Sequence, residues 1–199
     1  MVTIKIIIGS TRPGRFGPTV AKWVYDIAAR RADARYDLVD LKEVNLPLFD
    51  EEKHPVQHQY EHEHTRRWAR IVEEADGFVL VNPEYNFGVN APLKNALDFL
   101  YREWQNKPLA FVSYGAGAGG KNAQQQIRGI VANLSMFDIR EGVLLVNYWT
   151  QVNTQGVFTA TEDQNKAANS MFDSLVFWAG QMQRARADLA KAAELAKAS

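Results

Sequence analysis

Short apolar runs rich in β-branched residues alternate along the chain with longer stretches in which apolar positions recur every three or four residues. The runs predict five strands: Thr3 to Ile8, Tyr36 to Leu41, Gly77 to Asn82, Leu109 to Tyr114 and Val143 to Asn147. The helical period predicts helices over about Pro18 to Arg31, Tyr60 to Ala75, Pro92 to Trp104 and Gly120 to Leu134, and a last one from Glu162 to the end. In that last helix Met171, Leu175, Trp178, Met182 and Leu189 predict one apolar stripe, and Thr161 is its expected N-cap, with Glu162 and Asp163 in the first turn.

Strand and helix alternating in this way argue for an α/β fold, a parallel sheet with helices on both faces. Five strands with a ligand loop after the first predict the flavodoxin-like, three-layer arrangement with strand order 2-1-3-4-5, whose crevice lies at the carboxyl ends of the strands. The loops after the first, third and fourth strands then converge on one place. At 199 residues, without repeat, linker or low-complexity tract, residues 1–199 are expected to form one domain.

The first loop, Gly9 to Gly17, empties a strand into a helix start and carries Ser10, Thr11, Arg12 and Arg15. Backbone N–H groups, hydroxyls and a guanidinium at a helix N-terminus favour a phosphate. A bland turn explains Gly9, Pro13 and Gly14 but not that set of donors. Gly9 and Gly14 have Walker A spacing, yet Arg15 and Phe16 stand where Lys and Ser/Thr are required, which argues against triphosphate hydrolysis. The second loop, Asn82 to Pro92, combines Tyr85, Asn86 and Phe87, flat surfaces with hydrogen-bonding edges that suit a planar heteroaromatic ligand. The third, Ser113 to Gly120, contains a literal G-x-G-x-x-G, but the acidic residue a dinucleotide site needs at the end of the next strand is missing. Its glycines instead let backbone approach a ligand face.

Charge and composition narrow the chemistry. Twenty-three basic and 23 acidic residues balance, so nothing asks for nucleic acid or an anionic membrane surface as partner. Without cysteine there is no thiolate nucleophile or thiolate metal site, and redox chemistry has to come from a bound cofactor. No leader pattern opens the sequence and no apolar run nears the roughly 18 residues of a membrane span, so a cytoplasmic protein is expected. His54, His58 and His62, with His64 nearby, are spaced for one helix face and could ligate a metal. Pro55 and the polar neighbours favour a solvated segment, and no metal is expected.

With the loops in order, the chain resembles the NAD(P)H-dependent FMN reductase family of quinone, chromate and azo-dye reductases. The resemblance rests on Gly9-Ser10-Thr11-Arg12, Leu46-Pro47-Leu48-Phe49, Pro83-Glu84-Tyr85-Asn86, Leu93-Lys94-Asn95-Ala96-Leu97-Asp98, and Ser113-Tyr114-Gly115 with Gly119-Gly120. It implies that Ser10, Arg12, Phe16 and Gly17 hold the phosphate of FMN, with Arg15, where serine is frequent, either adding a charge or facing solvent. It implies that Pro83, Glu84, Tyr85 and Asn86 flank the isoalloxazine and that Ser113, Tyr114, Gly115 and Gly117 line its other edge. The flavin carries the chemistry, so no catalytic side chain is expected. NADPH or NADH is the implied co-substrate, a small acceptor (free flavin, quinone, azo compound or metal oxyanion) is reduced in a ping-pong cycle, and the protein is a homodimer or homotetramer. Phe99 and Trp104 are candidates for subunit contact or for burial within the monomer. Asn90 and Asn122 depart from the family pattern, in which a proline or small residue and an arginine are frequent. The alternatives are a flavodoxin-type electron carrier, though such carriers are usually acidic, and a flavin-binding or regulatory module that oxidises no NAD(P)H.

Overall fold

In the computed structural model, which describes residues 1–198, strand β1 (Thr3–Ile8) lies between β2 (Arg35–Asp40) and β3 (Gly77–Tyr85), and β5 (Pro108–Gly115) follows β3, all parallel. Alternate side chains of these strands enter two cores. Ile4, Ile6, Val79, Val81, Ala110 and Val112 face α1 (Gly17–Ala28) and α6 (Glu162–Ala198). Ile7, Phe78, Leu80, Leu109 and Phe111 face α2 (Leu41–Val44), α3 (Glu63–Glu73), α4 (Ala91–Asp98) and α5 (Lys121–Asn133). Burial on both faces is why the strands read as nearly continuous apolar runs.

The path is the expected 2-1-3-4-5, with seven strands where five were predicted. The fifth position is shared by β6 (Phe137–Asp138) and β7 (Val143–Val146), which both pair with β5. The break falls at Ile139 to Gly142, where a Cβ on Gly142 would lie 2.8 Å from the Phe111 carbonyl oxygen, so the chain crosses too close for a side chain. The other addition, β4 (Gly88–Val89), folds back on the end of β3 because Asn86 and Phe87 take left-handed φ values of 49° and 63°. Two such residues make the turn that matches strand twist in a tight hairpin. Strand β3 thereby runs three residues further than predicted.

The helix predicted over Pro92 to Trp104 is broken. Helix α4 ends at Asp98 and a separate turn, Arg102–Trp104, carries Trp104 back into the core, where its ring meets Trp68 and Phe78 and its Nε1 donates to the Leu97 carbonyl at 3.2 Å. Phe99 packs edge-on against Phe49. Both Phe99 and Trp104 are fully buried in this one chain, so neither is a subunit contact. Helix α6 opens with the expected cap, completed reciprocally: Gln164 N donates to Thr161 Oγ1 and Thr161 N donates to Gln164 Oε1. Its predicted stripe is only partly a core face. Met171 and Leu175 are fully buried, whereas Trp178, at the edge of the buried stripe against Phe137, and Leu189, beyond the last bonds of the helix to the sheet at Arg186, are exposed. Among the described residues no helix is long and apolar enough to cross a membrane.

Candidate functional site

The first loop leaves β1 at Gly9, whose N–H donates to the Val81 carbonyl at 2.9 Å, binding the loop to the end of β3. It then turns through Arg12-Pro13-Gly14-Arg15, closed by Arg15 N donating to the Arg12 carbonyl at 3.2 Å. Proline presets the first central position, and Gly14 supplies the φ of 66° that the second requires. This turn aims the two arginines differently. The guanidinium of Arg15 binds both carboxylate oxygens of Asp40, at the end of β2, and the Ser10 carbonyl. Its bond to Asp40 raises its pKa further, and the side chain is engaged as a brace. The expectation that Arg15 adds charge to a phosphate or faces solvent is corrected accordingly: Asp40 sits 25 residues further along the chain and neutralises it. Arg12 meets no carboxylate among the described residues and lies over the Tyr85 ring, 5.9 Å from its centroid.

The second loop is tied to the first and to the third. Ser10 Oγ and Tyr85 Oη are 3.0 Å apart, and Asn90 Nδ2 donates to the Gly9 carbonyl. Glu84 accepts from Asn122 N at 2.9 Å, from Asn122 Nδ2 at 2.9 Å and from Ala123 N at 3.4 Å, so its carboxylate caps α5. The N-cap of α5 is Gly120, which has no side chain to do this. Both departures from the family pattern thus have structural partners in this chain: Asn90 holds the first loop and Asn122 holds Glu84.

Between the loops lies a cleft of about 160 Å³ lined by Arg12, Phe16, Pro83, Glu84, Tyr85, Tyr114, Gly115, Ala116, Tyr148 and Trp149. Seven expected site residues therefore meet there. Ser10 adjoins it through Tyr85. Gly17 lies beneath it, where a Cβ would come within 3.1 Å of Tyr114 Oη. Ser113 is fully buried behind the wall, bonded to Asn82 and Gln124. Asn86 occupies the hairpin turn, and Gly117, like Ser113, Asn86 and Arg15, is outside the cleft lining. Tyr148 and Trp149 were not anticipated. They follow the fifth strand at the same sheet edge, and that position was the available signal. Tyr148 stacks on Phe16 with centroids 4.4 Å apart.

Tyr114 is 3% exposed, and its hydroxyl, buried in this wall, has no hydrogen-bond partner among the described residues. Burial, then the neighbouring Tyr85 and Tyr148, push its pKa up, so it is a protonated donor. A buried orphan hydroxyl is costly unless a ligand completes it. A larger hollow of about 450 Å³ lies against Leu41, Leu46, Leu48 and Asn95. It carries only Lys42 as a charge and touches just Thr11, Ala91 and Pro92 of the three loops, so size alone does not make it the site. The histidines do not share one helix face: His54 caps a turn, His58 meets Glu103, and His62 and His64 stack on each other and both reach Asp50. Among the described residues no group of three or more metal-ligating side chains converges.

Residues 2–151 match the family described as NADPH-dependent FMN reductase. The chain belongs to that family. An NAD(P)H-dependent FMN reductase of Schizosaccharomyces pombe is 44% identical over 135 residues, 67% of each chain. A 2-hydroxy-1,4-benzoquinone reductase of a Burkholderia species is 28% identical over 185 residues, 88% of this chain and 94% of that one. The solved structure of the flavoenzyme FerB from Paracoccus denitrificans superposes with a TM-score of 0.71 at 19% identity, over 92% of this chain and 99% of that one, which shows the shared fold. This FMN reductase family member is an FMN-dependent NAD(P)H oxidoreductase.

Proposed function

We propose that the cleft holds FMN, with its phosphate on the first loop at Arg12 and Ser10 and its ring between the Tyr85 hairpin and the Gly115 loop. The observation that carries this reading is the pair of incomplete groups facing one space: Arg12 without a carboxylate and Tyr114 with a buried, unpartnered hydroxyl. An anionic, hydrogen-bonding ligand with a flat ring completes both. Bound FMN supplies hydride acceptance from NAD(P)H and electron delivery to a second substrate. The chain's own residues bind and orient. Arg12 neutralises the phosphate and Tyr114 donates its hydroxyl proton in a hydrogen bond. Arg15 and Asp40 hold the loop in register, and Glu84, by capping α5, fixes the distance between the two walls.

NAD(P)H and the acceptor are proposed to meet the bound flavin in turn, since one ring both accepts the hydride and delivers the electrons, and ping-pong kinetics follow. A quinone is the proposed acceptor class, as in the name of the Burkholderia relative. Self-association into a homodimer or homotetramer is also proposed; the exposed Leu48 and Phe87 near the loop edges support it. Titration of the flavin-free protein with FMN, followed by anaerobic mixing with NADPH and with NADH, tests the reading. Stoichiometric binding and bleaching of the flavin absorbance are expected; a flavin that binds but stays oxidised defeats the reductase assignment.

A further inference from the structure

Trp149 stands at the rim of the cleft with about half its surface, 51%, exposed. It ends a row of packed rings. Trp23 meets Phe158 at 5.7 Å, Phe158 meets Phe16 at 5.7 Å, Phe16 stacks on Tyr148 at 4.4 Å, and Tyr148 meets Trp149 edge-on at 5.4 Å and 74°. The four inner rings are partly buried against the core. The backbone under the indole is fixed as well: Asn147 N donates to the Gly115 carbonyl, Thr150 N to the Asn147 carbonyl and Val152 N to the Trp149 carbonyl. The indole is therefore a half-exposed apolar ring anchored at the cleft wall.

Indole is an electron-rich ring, and stacking on it favours planar, electron-poor partners. Quinones have that chemistry, whereas a compact octahedral oxidant has no face to offer. We propose that Trp149 is a stacking platform that selects planar, electron-poor acceptors of the quinone class at the cleft. The inference rests on the flavin reading of the same cleft, and Trp149 takes no part in electron or proton bookkeeping at the reacting atoms.

The test uses the FMN-loaded protein and its Trp149→Ala and Trp149→Phe variants. FMN affinity and bleaching by NADPH are measured first and report on the flavin reading. Each enzyme, reduced in advance, is then mixed with 1,4-benzoquinone or with ferricyanide. The expected result is an apparent affinity for benzoquinone weakened about 3- to 10-fold in Trp149→Ala, partly restored in Trp149→Phe, with a loss for ferricyanide under a third as large. Independently of turnover, benzoquinone should quench a saturable part of the tryptophan fluorescence of the oxidised protein, a part missing in Trp149→Phe. Equal losses for the two acceptors, no loss for either, or weakened FMN binding in the variants would overturn the proposal. Failure of the wild-type protein to take FMN defeats the flavin reading itself.

Discussion

The two ends of the sheet differ in which polar groups they leave open. At the amino ends Asp76 accepts from Thr3 N, from Gln183 Nε2 and from Arg186, and Arg186 also donates to the Asn106 carbonyl. Lys107, next to it, donates to the Val72 and Glu73 carbonyls at the end of α3. These bonds fasten α6 and α3 to the strands and involve no outside molecule. At the carboxyl ends, among the described residues, Arg12 has no carboxylate and the Tyr114 hydroxyl has no hydrogen-bond partner. Charges and hydrogen bonds completed within the chain serve the fold, and those left incomplete in a concave place serve a ligand.

This contrast is broken most severely at the structural end. Asp76→Ala leaves Arg186 and Thr3 N without their acceptor, and a loss of about 3 kcal/mol in denaturant unfolding is expected, with FMN affinity per folded molecule unchanged. Arg12→Ala should do the reverse: FMN binding weakens by about 1.5–3 kcal/mol in a titration while the unfolding midpoint without flavin hardly moves. An equal loss of stability in the Arg12 variant would erase the distinction between the ends. Lys107 adds a pH signature. Burial, then the charge of Arg186, lowers its pKa to about 8. The folded chain then binds fewer protons than the unfolded one between pH 8 and the ordinary lysine value, so this group makes stability rise with pH across that window. The rise should be on the order of 1–3 kcal/mol and absent from Lys107→Met, measured by urea unfolding at several pH values. The smallest effect is the sharpest. Tyr114→Phe removes a hydroxyl with no partner, so stability should hold or rise slightly while FMN affinity falls by about 0.5–1.5 kcal/mol.

Much of the architecture was legible in the chain because the apolar period reports burial directly. All five predicted strand positions are occupied, in the predicted order. The added pieces were not legible: β4 depends on Asn86 and Phe87 adopting left-handed φ, and the split of β6 from β7 depends on how closely Gly142 passes Phe111. The broken α4 was hidden for a different reason. Its apolar spacing continues to Trp104, but packing against Trp68 and Phe78 overrides helical continuity. At the site, the three loops were readable from their residue types, whereas Tyr148 and Trp149 look like ordinary residues after a strand until Tyr148 meets Phe16.

By itself the sequence determined the alternation of strand and helix, the sheet order, and the gathering of three loops at one edge, because these follow from local periodicity and turn chemistry. Only the tertiary structure decided which groups are available there. Arg12 and Arg15 are equivalent as residue types in one loop, and Ser113 and Tyr114 are neighbours in one strand. Asp40 claims Arg15, Asn82 and Gln124 claim Ser113, and nothing among the described residues gives Arg12 a carboxylate or the Tyr114 hydroxyl a hydrogen bond. Partners that come from distant parts of the sequence leave no local pattern, so which groups are braced and which stay open at the candidate site is decided by proximity in space.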